Sequence, residues 1–110
     1  MLRSIACAAL VLAWAGPALA ADDAKVAKGT QLYADQKCAL CHSVGDKGNK
    51  KGPLDGVAAK YSADDLRAWI VDAKGMTAKT KSARVPAMKN YALAKEDVEA
   101  LVAYMATLKK

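Results

Sequence analysis

Histidine is nearly absent from this chain: His42 is the only one among 110 residues. Phenylalanine is missing, and two tryptophans and four tyrosines bring the aromatics to 5%. There are three cysteines, Cys7, Cys38 and Cys41. These scarcities exclude much. A structural zinc site takes four cysteine or histidine ligands; Cys38, Cys41 and His42 make three, and no second pair exists. Strand-like runs are lacking, so a thioredoxin-type pair in a βαβ frame is excluded. The few aromatics do not interleave the lysines, which argues against a nucleic-acid-binding face. No internal repeat or low-complexity segment is present.

What is present is concentrated in Cys38-Ala39-Leu40-Cys41-His42. C-x-x-C-H is the attachment signature of c-type haem. Its two thiols add to the two vinyl groups as thioethers, and the two-residue spacer lets both reach one porphyrin edge. The adjacent histidine then serves as the proximal iron ligand. The expected cofactor is one haem c, held by Cys38 and Cys41, with His42 on the iron.

The N-terminus carries an export pattern. Arg3 supplies one positive charge, and Ile5 to Trp14 is an apolar run too short to span a bilayer. Gly16 and Pro17 break it, and Ala18-Leu19-Ala20 is an A-x-A cleavage site. Residues 1–20 are read as a cleaved signal peptide and residues 21–110 as one domain, located in the periplasm. Cys7 leaves with the signal. Loss of Arg3 changes the net charge from +6 to +5. A chain of this size buries a modest core and benefits from a large apolar group to pack around.

Periodicity predicts helices joined by long loops. Asp22 or Asp23 can cap a helix running to about Asp35, with Val26, Gly29, Leu32 and Tyr33 on one face. Residues 43–56 read as loop. Ser62 and the acids Asp64 and Asp65 mark a second start, followed by the stripe Leu66, Trp69, Ile70 and Ala73, with Gly75 as its stop. Residues 76–93 lack clear periodicity. A last helix begins near Ala94 or Lys95, with Val98, Leu101, Val102, Met105 and Leu108 as its stripe.

With these features the chain resembles the class I c-type cytochromes. The resemblance covers all of residues 21–110, and its haem motif is specific. It implies an all-α cytochrome c fold, three to five helices around one covalently attached haem. It also implies an N-terminal helix crossing the C-terminal one, with Gly29 and Tyr33 meeting Leu101 and Tyr104. The family's second axial ligand is commonly a methionine beside a proline, in a loop shortly before the last helix. Met88, two residues after Pro86, matches that place best. Many members have the methionine directly before the proline, where this chain has Val85. Met76 is the alternative, and Met105, on the apolar stripe, reads as core. A histidine–methionine pair raises the reduction potential. Gly52-Pro53-Leu54 resembles the loop in which a proline carbonyl accepts the proximal histidine's N–H, with Leu54 packing on the ring. Trp69 is a candidate donor to a haem propionate, as a tryptophan is in some members; Arg84 and Tyr91 are weaker candidates.

Between Asp72 and Glu96 stand six basic residues and no acid, and Lys47, Lys50 and Lys51 follow the haem motif. Such charge can steer an acidic partner. The reading is a periplasmic electron carrier, monomeric, not an enzyme and not membrane-spanning after cleavage. Its partners would be a dehydrogenase or membrane complex and an oxidase or reductase. Two alternatives stand: a haem subunit of an oxidoreductase complex, and a five-coordinate haem protein that binds a gas or reacts with peroxide. The latter would lack a second histidine to assist its chemistry.

Overall fold

A computed structural model describes residues 17–110. The apolar run 5–14 and Cys7, on which the export reading rests, lie outside the described residues. Five α-helices follow in order: α1 Pro17–Asp35, α2 Val57–Lys60, α3 Ala63–Val71, α4 Ala73–Thr80 and α5 Lys95–Met105. A 3-10 turn spans Cys38–Leu40. The expected loop after it holds a small antiparallel hairpin, β1 Ser43–Val44 and β2 Lys47–Gly48, in the register Ser43–Gly48 and Val44–Lys47.

The first helix starts earlier than its expected acidic cap. It begins at Pro17 and carries Asp22 and Asp23 inside it. The physical reason lies in the residues ahead of the acids: proline suits a first helical position, and alanine and leucine extend the helix at little cost.

α1 and α5 make the central crossing. Gly29 lies against the Ala100 carbonyl and the Cβ of Tyr104, so a side chain at Gly29 would enter α5's backbone. Ala100 is fully buried beneath it. The Tyr33 and Tyr104 rings meet edge to face, 5.6 Å apart at 62°. Gly29 therefore meets Tyr104, as the resemblance implies, with the Ala100 carbonyl nearer still. Leu101 turns instead into the core, with Val98 and Val102 of α5 and Leu66 and Ile70 of α3.

α3 starts where expected, its Ser62 hydroxyl accepting from the Asp65 N–H at 3.2 Å. It stops sooner than expected. Asp72 leaves helical geometry, and its carboxylate accepts from the Gly75 N–H at 3.2 Å, capping a new helix. Gly75 thus belongs to the first turn of α4 and is not a stop. The stretch without legible periodicity therefore begins with a short helix.

Arg67 clasps α3 to α5. It donates to Glu99 through two nitrogens, at 2.7 and 3.0 Å, and to Asp64 at 2.6 Å. The guanidinium bonds hold the Glu99 carboxyl below the ordinary carboxylate range. The clasp and the α1–α5 crossing leave one side of α3 and α5 to wall a cavity.

Candidate haem site

A cavity of about 380 Å³ opens between the segment 38–54, α3, the loop 82–91 and α5. Its size lies within the range of cofactor sites, about 300–1,000 Å³. Cys38, His42, Trp69 and Met88 all line it. Cys38 is half-buried and Cys41 exposed, and both are free thiols. The 3-10 turn places them: the Cys41 and His42 N–H groups both donate to the Cys38 carbonyl, at 3.1 and 2.9 Å.

His42 is held through its ring. Nδ1 lies 3.0 Å from the Gly52 carbonyl. A carbonyl only accepts, so Nδ1 carries the proton and the neutral ring keeps Nε2 free to bind a metal. Burial pushes the His42 pKa down, opposed by the Gly52 bond and assisted by the Arg84 charge. The neutral, ligating form is the favoured one.

The accepting carbonyl is that of Gly52, one residue before the expected Pro53. The segment runs beside Ser43 as a parallel bridge. The Gly52 carbonyl accepts from the Ser43 N–H at 3.1 Å, and the Leu54 N–H donates to the Ser43 carbonyl at 2.8 Å. In extended chain the carbonyl between those two groups points the other way, which turns Pro53's carbonyl from His42. Pro53 and Leu54 both line the cavity, as expected of its surroundings.

The three methionines among the described residues separate by position. Met76 is buried in α4 and is not among the cavity-lining residues. Met105 lines the cavity from α5 while packing on the core cluster. Met88 lines it from a loop. Two bonds to the α3–α4 junction pin that loop just after Met88. The Asn90 side chain accepts from the Lys74 N–H at 3.0 Å, and the Tyr91 N–H donates to the Ile70 carbonyl at 2.9 Å.

Trp69 Nε1 is buried without a hydrogen-bond partner. Its edge contact with Tyr61, ring centres 6.3 Å apart, leaves the indole N–H unused. A buried N–H of this kind calls for an acceptor, and a haem carboxylate is one. Arg84, a weaker candidate for that role, instead donates to the Cys41 carbonyl. Tyr91 lies at the cavity with its ring beneath the Lys89 ammonium, 4.9 Å from the ring centre. The residues therefore suit a haem: the two thiols of the motif, a neutral imidazole, a thioether on the same cavity, an apolar wall and one unpartnered donor.

Sequence reasoning missed two contributors. Gly52 offers its carbonyl through backbone geometry, which no residue type announces. Asn90 caps a helix that periodicity did not reveal.

Comparison with known proteins agrees with this geometry. The Cytochrome c family model matches residues 26–109. Cytochrome c oxidase subunit 2 of Alkalihalophilus pseudofirmus is 32% identical over 91 residues, covering 74% of this chain. The chain spans only 25% of that relative's length. No solved structure matches significantly. The match across nearly all of the described helices, together with the C-x-x-C-H motif, means that the chain belongs to the cytochrome c family, whose members carry covalently attached haem c and transfer electrons.

Proposed function

We propose that this protein is a periplasmic one-electron carrier with a single haem, its iron held between His42 and Met88. The observation that carries the reading is the placement of these two side chains on one cavity, His42 from the haem motif and Met88 from a pinned loop. Cys38 and Cys41 would hold the haem covalently, and Trp69 would donate to a propionate. When bound, the haem supplies one Fe(III)/Fe(II) couple.

The chain's own residues do the rest. The Gly52 carbonyl fixes the His42 tautomer and raises the ring's basicity through Nδ1–H. A methionine sulfur is a soft ligand that favours the ferrous state and raises the potential. Leu54, Trp69, Ile70 and Leu101 wall the cavity with apolar surface, which limits water around the iron. Cys41 is exposed, so a haem bonded to it would present an edge to solvent and to a partner. Lys47, Lys50 and Lys51, which follow the haem motif in the chain, suit an acidic partner. The chain has no part in bond-making chemistry on this reading, and it acts as a monomer.

The test is optical. Oxidised protein is expected to show a sulfur-to-iron charge-transfer band, and reduced protein to exclude carbon monoxide. Met88→Ala should lose the band, bind carbon monoxide and have a lower potential. An unchanged spectrum in that variant rejects Met88 as ligand.

One observation favours a second reading. The relative is, by its name, a subunit of cytochrome c oxidase. This chain would then serve an oxidase as its donor or as a haem-bearing subunit. Co-purification with a large oxidase subunit supports the subunit role, and a monodisperse monomer supports the carrier.

A further inference from the structure

Met88 sits in a stretch with few attachments. Among the described residues, 83–89 make one hydrogen bond to the rest of the chain, from Arg84 to the Cys41 carbonyl, 43 positions away. Val85, next to it, is 88% exposed. A segment so lightly held samples open conformations unless a strong contact restrains it.

Arg84 makes that contact at an informative place. Cys41 is the residue immediately before His42. The guanidinium also occupies the space where a side chain at Gly52 would lie, and Gly52 is the residue whose carbonyl accepts from His42 Nδ1–H. One side chain therefore touches the residue that precedes His42 and the residue whose carbonyl holds its ring, while its own backbone lies four residues from Met88. A guanidinium is suited to this: it stays charged, and its planar fork can bond a carbonyl while lying flat on a glycine. Bonds from a charged donor are among the stronger ones.

We infer that Arg84 is a positioning residue that straps the Met88 loop to the haem motif and so keeps His42 and Met88, which would hold the iron, in one rigid unit. The inference rests on the His42–Met88 reading. The absent side chain at Gly52 is the receiving half of the strap. The strap restrains the loop upstream of Met88, while Asn90 and Tyr91 restrain it downstream.

The experiment uses the haem-loaded protein and three variants: R84M, which keeps length without donors or charge; R84K, which keeps charge and a donor; and M88A. Carbon monoxide binding to the reduced form and the urea concentration that abolishes the charge-transfer band are compared with the loss of far-ultraviolet helical signal. The parent should lose band and helix together. R84M should bind carbon monoxide about tenfold more readily, equivalent to about 1.4 kcal/mol, and lose the band at lower urea than the helix. R84K should recover part of both effects. R84M behaving as the parent overturns the strap, and so does R84K behaving no better than R84M. A parent without the band, or M88A with the parent's spectrum, overturns the ligation reading itself and is told apart by that control.

Discussion

Gly29 and Gly52 are both required for what they lack. At Gly29 the missing side chain lets α1 lie on the Ala100 carbonyl, which brings the helices close enough for Tyr33 and Tyr104 to meet. Burial of the Tyr33 ring and hydroxyl pushes that phenol up to about 12, so it stays protonated at physiological pH. G29A should force the crossing apart and cost about 1–3 kcal/mol, the usual range for overpacking. Urea denaturation monitored by circular dichroism measures it; an unchanged midpoint would mean that the helices separate freely. The glycine was legible in the sequence as a helix-face residue that family resemblance pairs with α5. That the Ala100 carbonyl comes nearest to it was not legible, because rotation of α5 about its own axis depends on how Leu101 packs with α3.

Among the elements, α4 anchors the end of the ligand loop through Asn90, and periodicity did not reveal it. Eight residues with little apolar patterning form a helix because its first turn is capped from two directions. Asp72 accepts from the Gly75 N–H, and Asn90 reaches back from the ligand loop to the Lys74 N–H. The helix start and the loop end therefore stabilise each other. N90A should cost about 1 kcal/mol, typical of a lost cap. Hydrogen exchange should locate the effect: faster exchange at the Lys74 amide is expected, with the α1 and α5 amides unchanged. The hairpin 43–48 was unreadable for a related reason. Its pairing covers two residues on each side, too few for alternation to register.

For the molecule as a whole, α3 joins α5 through the core and through Arg67–Glu99. The Glu99 carboxyl is lowered by the Arg67 hydrogen bonds, with burial acting against them. A lowered carboxylate stabilises the folded state fully above its unfolded pKa, about 4.3. That contribution fades as pH falls through the folded value. Parent protein should therefore be more stable than E99Q at pH 7, and the difference should close on acidification through the carboxylate range. Urea midpoints at the two ends of that range test this; a difference independent of pH would assign the clasp to packing of the Arg67 stem. Both partners are partly exposed, so added salt should narrow the difference at pH 7 as well.

The sequence by itself determined the haem attachment chemistry, the family and the two long helices that cross. Cys38, Cys41 and His42 are neighbours in the chain, and α1 and α5 carry apolar stripes long enough to be read. Tertiary structure alone decided which carbonyl holds His42, that Met76 lies off the cavity, and what restrains the loop that carries Met88. These depend on backbone groups and on contacts between segments far apart in sequence, such as Arg84 with Cys41 and Asn90 with Lys74. Residue type marks a side chain's chemistry, whereas the direction of a carbonyl is set only when the chain folds back on itself.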